Sequence, residues 1–415
     1  MGASAAGGYE IDNSLRFNDD DSAYLSRTPS VAGNHKTWTW SGWVKRGNLA
    51  GGILISSDPS SSGNETVLRF RSEDIELYNY VSNAYDTRLI SSAVFRDSSA
   101  WYHVVATFDS VSVGAKLYVN GIEISLSTND QPAANADSFI NTTNQHTIGK
   151  SSFASSNYLD GYLAEVNFID GLALTPDSFG ETGDYGEWKP LRYTGAYGTN
   201  GFYLDFADSG NLGKDLSINA NNWTPTNLAA TDQMVDSPTN NFCTLNVLNK
   251  NADVTLSEGN LKLATTLSNI GVSSTYTRDS SKFYFEVVRT NVDGSPSFGV
   301  ASPSWALTYA GVDAGVGLHS NGIIYKGGAQ VQTGLTSVVN GDIVGVACDF
   351  DANSVSFYIN NTQVGTTVTG ITGEYSPAIS GQASTNLVAN FGQDSSFAGN
   401  KTAQGNSDSN GIGDF

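Results

Sequence analysis

The chain has 415 residues, which is too long for one compact core, because single cores stop growing beyond about 250–300 residues. Its 41 acidic and 21 basic residues leave a formal net charge of −20. That balance disfavours phosphate backbones and anionic membrane surfaces as partners. No run approaches the ~20 apolar residues of a membrane-spanning helix, so neither nucleic-acid binding nor membrane insertion is expected.

The N-terminus, MGASAAGGYEIDN, has no basic region and no apolar stretch, so it does not read as a secretory signal. The chain is nonetheless rich in Gly, Asn, Ser and Thr, an outward-facing composition. Together these fit a protein released by lysis within a virus particle, or a piece cut from a longer chain. Strand signals then dominate: short runs of Val, Ile, Phe, Tyr and Thr alternate with Gly/Asn/Asp/Ser clusters at the spacing of a sandwich or barrel. The best helical candidate is one turn at Thr175-Pro176-Asp177-Ser178-Phe179, with Thr175 as cap and Pro176 first.

An internal echo links the two halves. WYHVVATFDSVSVGAKLYVNGIEI near residue 101 and GDIVGVACDFDANSVSFYINNTQVG near residue 341 each read as strand, Asp-containing turn, strand and tight turn. Val104, Ala106 and Phe108 share one face in the first; Val355, Phe357 and Ile359 do so in the second. Asn120-Gly121 and Asn360-Asn361 supply the positive φ of type I′ turns. This grammar predicts two related sandwiches. The first spans 1–180, the second 251–395. The region 181–250 carries Trp188, Tyr193, Tyr197, Phe202, Tyr203, Phe206 and Trp223, too many aromatics for a free linker. It is expected to be an ordered bridge partly docked on the first domain, with 201–206 adding a strand. Residues 396–415 read as a polar tail, mobile or docked on a neighbour. Of the two cysteines, Cys348 lies in an apolar run and reads as a buried hydrophobe, so a bridge to Cys243 is not expected.

Several segments resemble known families. WTWSGWVK (38–45), WYHVVATFD, KLYVNG and YLDGYLAEVNFIDGLALT resemble the laminin-G-like, concanavalin A-like family over most of 14–180. KFYFEVV, FGVASP, GVGLHSNGIIYKGG and GDIVGVACDFDANSVSFYINN resemble a SPRY domain over 282–392. The connector, with DSPTNNFCTLN and SEGNLKL, is similar to that of structural and tail proteins of marine bacteriophages. The resemblance implies an all-β protein of two tandem concanavalin A-like jelly-roll β-sandwiches joined by an aromatic-rich bridge. It also implies a virion location, as a tail fibre, spike or capsid-surface component.

The residues give little sign of catalysis. Glycosidases of this fold set carboxylates at alternating strand positions, about 5–5.5 Å apart for retention. Glu10-Ile11-Asp12 lacks a third acid, since Ser14 takes the next same-face position; Glu73 and Glu76 fall on opposite faces, and Asp74 with Glu76 reads as a solvated edge. His35, His103, His146 and His319 show no metalloprotease spacing, and His103 reads as packed. No enzymatic activity is expected. Calcium is the one cofactor that Asp19 and Asp20 in an acidic turn, with Asp109 and Asp160 at predicted strand ends, could hold, because that ion needs converging oxygens and relatives of the fold carry one at the rim; the competing reading is that such acids only make turns. Trp38, Trp40 and Trp43 read as packing. The candidate ligand contacts are the loop aromatics Tyr78, Tyr80 and Tyr85 around a polar turn, and Trp305 and Tyr309 in SPSWALTYAG. The expected function is therefore a non-enzymatic virion structural protein that assembles with other virion subunits, as a homo-oligomer, and binds a host-surface glycan or a protein. The alternative is a bacterial surface adhesin or lectin-like module.

Overall fold

The computed structural model describes residues 8–60, 63–291, 294–408 and 411–415. Strands carry the fold, and among the described residues the only helical segments are two 3-10 turns, Pro176–Ser178 and Ala230–Asp232. The first sits where the Thr-Pro-Asp-Ser signal placed it, with Thr175 extended at φ −84° and the proline supplying the first position. The chain divides into two compact units, Met1–Asn241 and Phe242–Phe415.

The first unit is a sandwich of two antiparallel eight-stranded sheets. One sheet runs Ile122–Glu123, Lys116–Val119, Trp101–Asp109, Thr37–Arg46, Gly161–Asp170, Ser14–Phe17 and Gln233–Met234, with Phe202–Leu204 also bonded to Gly161–Asp170. The other runs Leu126–Asp130, Ala84–Ser91, Ile75–Val81, Glu65–Phe70, Gly52–Ser57, His146–Ile148, Tyr24–Arg27 and Thr224–Thr226. Period-two alternation decides what lies between them. Trp38, Trp40, Val104, Ala106 and Phe108 point inward from the first sheet and meet Leu54, Leu68, Leu77 and Leu89 from the second. Trp38 stacks on Phe108 at 5.6 Å and is fully buried. The opposite face of the first sheet buries a smaller cluster that includes Trp43, Trp101, Tyr162 and Met234.

The region expected as a bridge is woven into this unit. Phe202–Leu204, Thr224–Thr226 and Gln233–Met234 each add a strand to one of its sheets. Trp223 is buried with its ring 4.9 Å from Phe202, which accounts for the aromatic content of the segment. The hairpin turn at Asn120-Gly121 has φ +49° and +80°, and a Cβ on Gly121 would lie 2.5 Å from the Trp188 ring. Glycine is therefore required twice there, for the turn and for the ring.

The second unit repeats the plan with two seven-stranded antiparallel sheets. Leu245–Lys250, Ile270–Ser274, Ser376–Gly381, Ser297–Ala301, Gly315–His319, Ile323–Lys326 and Ala329–Gln332 form one. Thr255–Ser257, Lys262–Thr265, Thr385–Asn390, Lys282–Asn291, Ile343–Asp349, Ser354–Ile359 and Thr362–Thr369 form the other. Val355, Phe357, Ile359 and Cys348 enter its core. Both cysteines are free thiols, and burial pushes Cys348 well above the usual thiol range. The C-terminal residues return to their own unit. Phe397 is buried, Ser395 Oγ donates to the Asp414 carboxylate at 2.6 Å, and the Phe415 ring lies 5.5 Å from Tyr284.

Candidate functional site

The three candidate tyrosines of the first unit do come together. Tyr78 and Tyr80 alternate onto the outer face of Ile75–Val81, and the neighbouring strand has a register shift between the pairs Asn79–Thr87 and Tyr80–Tyr85. The extra residue, Asp86, lets Tyr85 and Arg88 share that face, so the Arg88 guanidinium lies 4.3 Å from the Tyr85 ring centre. Tyr85 sits edge-on to Tyr78 at 5.7 Å and to Tyr80 at 4.9 Å. Tyr78 is buried on Ile53 and Val67 and donates to Glu65 at 2.8 Å, so it supports the cluster from beneath. Burial, then the Glu65 charge, drives its hydroxyl above the usual phenol range. Tyr85, 45% exposed, is the most open of the three rings, and Tyr80 is half-buried.

The same face shows why Asp74 and Glu76 are poorly placed for acid–base work. Glu76 is fully buried between Arg69 and Arg88, at 2.7 and 2.8 Å. Asp74 is paired with Arg71 at 2.7 Å.

The second-unit aromatics are used differently. Trp305 is 6% exposed, packed with Ala301, Ala310 and Ala378, and its indole N–H donates to the Tyr309 carbonyl at 3.2 Å. It lies over Gly271, where a Cβ would come within 2.4 Å of the indole. The SPSWALTYAG loop is thus pinned to the sheet by its tryptophan rather than presenting it. Tyr309 is half-buried against His319 at 4.9 Å. His319 is buried, which pushes it down to about 4.

The four calcium candidates are not gathered. Asp109 bonds Thr37 at the start of the Thr37–Arg46 strand and accepts the backbone N–H groups of Val111, Ser112 and Val113, closing its own turn. Asp160 is buried beyond the other end of that strand, its carbonyl accepting the Gly47 N–H at 2.9 Å. At about 3.3 Å per residue, the ends of a ten-residue strand are roughly 30 Å apart. Asp19 accepts from Asn48 near the Asp160 end, and Asp20 is exposed. Among the described residues, no group of three or more His, Cys, Asp or Glu could hold a metal ion.

A depression in the first unit was not expected. A depression of about 460 Å³ opens at the end of the sandwich, lined by His35, Val81, Asp86, Ala136, Asp137, Ser138, Phe139, Thr142 and Asn144. Its floor is a loop that the sheets hold from several sides. Asn79 donates to the Asp137 carbonyl at 3.1 Å, and the Phe139 N–H donates to Thr66 at 2.8 Å. Ser138 bridges the Trp38 indole at 2.9 Å to the His35 carbonyl at 2.8 Å. Asp86 is oriented by Asn79 at 3.2 Å and Thr87 at 3.0 Å. The result is a preformed cleft with a half-buried phenylalanine, two carboxylates and an asparagine. That chemistry suits a polar ligand with an apolar face, and the volume is that of a small-molecule site. The residues lie far apart in sequence; the aromatic Phe139 within the polar run NADSFINTTN is the one signal that could have marked them.

Two other groups carry large shifts. His103 is buried between Trp43 and Trp188, and burial pushes it down to about 3. It bonds Ser41 and Trp188, each at 2.9 Å, so it is a packed, neutral ring. Glu165 is buried in the outer face of the first sheet, and burial raises it to about 7. It accepts from Tyr203 at 2.5 Å and Tyr9 at 2.9 Å. Its backbone is at φ +51° where the register of Gly161–Asp170 slips between Ala164 and Asn167.

Residues 17–178 match the concanavalin A-like lectin/glucanases superfamily, and residues 282–394 match the SPRY domain. Solved structures similar to the chain include the SPRY domain of human HERC1, at 15% identity over 35% of this chain and 96% of that one, TM-score 0.31. The TRIM65 PSpry domain is 17% identical over 36% of this chain and 91% of that one, TM-score 0.31. A human SPRY domain is 17% identical over 33% and 94%, TM-score 0.28. No curated protein matches. The chain is a tandem of a concanavalin A-like domain and a SPRY domain.

Proposed function

We propose that this chain is a non-enzymatic recognition protein displayed on a virus particle, whose first domain takes a glycan at the rim depression. The observation that carries the binding reading is the depression itself: Phe139 offers an apolar face to a sugar ring, while Asp86, Asp137 and Asn144 offer hydrogen-bond partners around it. The floor loop is held by Thr66, Asn79 and Ser138, so little ordering is needed on binding. The virion reading is supported by the order of the two domains, the similarity of the connector to phage structural proteins and the outward-facing composition. In that setting the partners are other virion subunits and further copies of this chain. Binding rather than turnover is favoured because Glu76 and Asp74 are each tied to arginine. A surface adhesin is the alternative, and an export signal or anchor in the full-length gene would favour it.

A glycan array read with the purified chain tests the binding reading. Phe139→Ala and Asp86→Asn are expected to lose the captured glycan, while Tyr85→Ala keeps it. Retention by both depression variants would sink the assignment of the site.

A further inference from the structure

We propose that the first unit is a self-crosslinking module, in which the amine of Lys45 forms an amide bond to the side chain of Asn241 with Asp236 as the proton carrier. The Lys45 and Asp236 side chains are both fully buried, with Nζ 2.7 Å from Oδ2. Nζ also donates to Oδ1 of Asn241 at 2.8 Å. A carbonyl bond is about 1.2 Å long, which places Nζ within about 4 Å of the amide carbon and close to a near-attack separation. The other Asp236 oxygen accepts from the Trp101 indole at 3.1 Å, and the Asn241 amide nitrogen donates to the Ser99 carbonyl at 2.8 Å. Every reacting group is therefore held by a second contact. Trp101, Tyr162 and Met234 form the apolar surroundings.

A buried ion pair alone would be weak evidence of anything but packing, since its desolvation offsets its attraction. The amide carbonyl on the same amine is what distinguishes this one. Moving a proton from the Lys45 ammonium to Asp236 removes two buried charges and frees the amine's electron pair. Nζ then attacks Cγ of Asn241, whose oxygen is already polarised by the hydrogen bond. Asp236 passes a proton to the amide nitrogen, the Cγ–Nδ2 bond breaks, and ammonia leaves. Asn241 is exposed, so the ammonia has a way out and carries off the remaining proton as ammonium. The Nζ–Cγ bond replaces the Cγ–Nδ2 bond, and no oxidant or reductant is needed.

The crosslink would join two positions 196 residues apart. Asn241 is the last residue of the first unit. Tension arriving from residue 242 would then pass directly into the Thr37–Arg46 strand and bypass everything between, which suits a protein working outside a cell.

Intact-mass spectrometry of the purified chain tests this. The expected mass is lower than the sequence mass by one ammonia. Trypsin should yield a branched peptide joining the piece that ends at Arg46 to the piece that ends at Lys250, with cleavage after Lys45 lost. Asn241→Ala, which leaves the Lys45–Asp236 pair in place, and Asp236→Asn should both restore the full mass. A full mass for the wild-type chain, shown to be folded by protease resistance, overturns the proposal. So does an ammonia loss that maps to a linear succinimide peptide at one of the Asn-Gly sites.

Discussion

Replacing Glu165 by glutamine should strip the first unit of part of its pH dependence. Glu165 is 6% exposed, and burial raises its carboxyl from 4.5 to about 7, with the Tyr203, Tyr9 and Arg192 contacts opposing. The folded state therefore favours the protonated acid. Below pH 4.5 the acid is protonated whether the chain is folded or not, and there is no penalty. Between pH 4.5 and about 7 the unfolded chain releases the proton and the folded chain resists, so stability falls as pH rises. Each tenfold change in proton affinity is worth about 1.4 kcal/mol, so the loss amounts to about 3 kcal/mol once both states are ionised. Buried histidines act in the opposite sense. His103, His146 and His319 are pushed down to about 3, 4 and 4, so each loses stabilisation as pH falls below 6.5. The difference between wild type and Glu165→Gln isolates the carboxyl. Urea unfolding at a series of pH values from 4.5 to 8 provides it, followed by tryptophan fluorescence, since six of the seven tryptophans lie in the first unit and only Trp305 in the second. The variant should gain on the wild type by about 3 kcal/mol across that range. Parallel curves would refute the reasoning.

Three further outcomes follow from the packing. Trp38→Ala should cost about 3–5 kcal/mol in the same urea assay, because the ring is fully buried and stacked on Phe108. Gly121→Ala should lower the melting temperature, with a penalty above about 1 kcal/mol, since the new methyl meets both a φ of +80° and the Trp188 ring. Millimolar calcium should give no heat in a titration and no shift in melting temperature, because Asp109 and Asp160 lie at opposite ends of one strand; a saturable heat would show that the strand-end acids do assemble.

The architecture was legible where one residue type met one local rule. Alternation located the inward faces of Val104, Ala106 and Phe108 and of Val355, Phe357 and Ile359, all of which lie in the two cores. The aromatics of the connector announced its burial, and Phe202–Leu204 does pair with Gly161–Asp170. What escaped depends on tertiary neighbours. Trp305 looks like a loop aromatic until Gly271, far away in the chain, is seen to open a slot for it. Tyr78, Tyr80 and Tyr85 do meet, but only a register slip at Asp86 decides that Arg88 covers Tyr85. The rim depression draws on His35, Val81, Asp86 and six residues between 136 and 144, which no short window contains. Strand-end acids were visible; which end of which strand each one occupies was not.

The most direct test of the central claim is hydrogen exchange on the chain with and without the glycan captured on the array. If the rim depression is the binding site, protection should rise at residues 81–86 and 134–144 and stay unchanged at the Trp305 loop. Protection confined to the second domain, or none anywhere at saturating glycan, would contradict it.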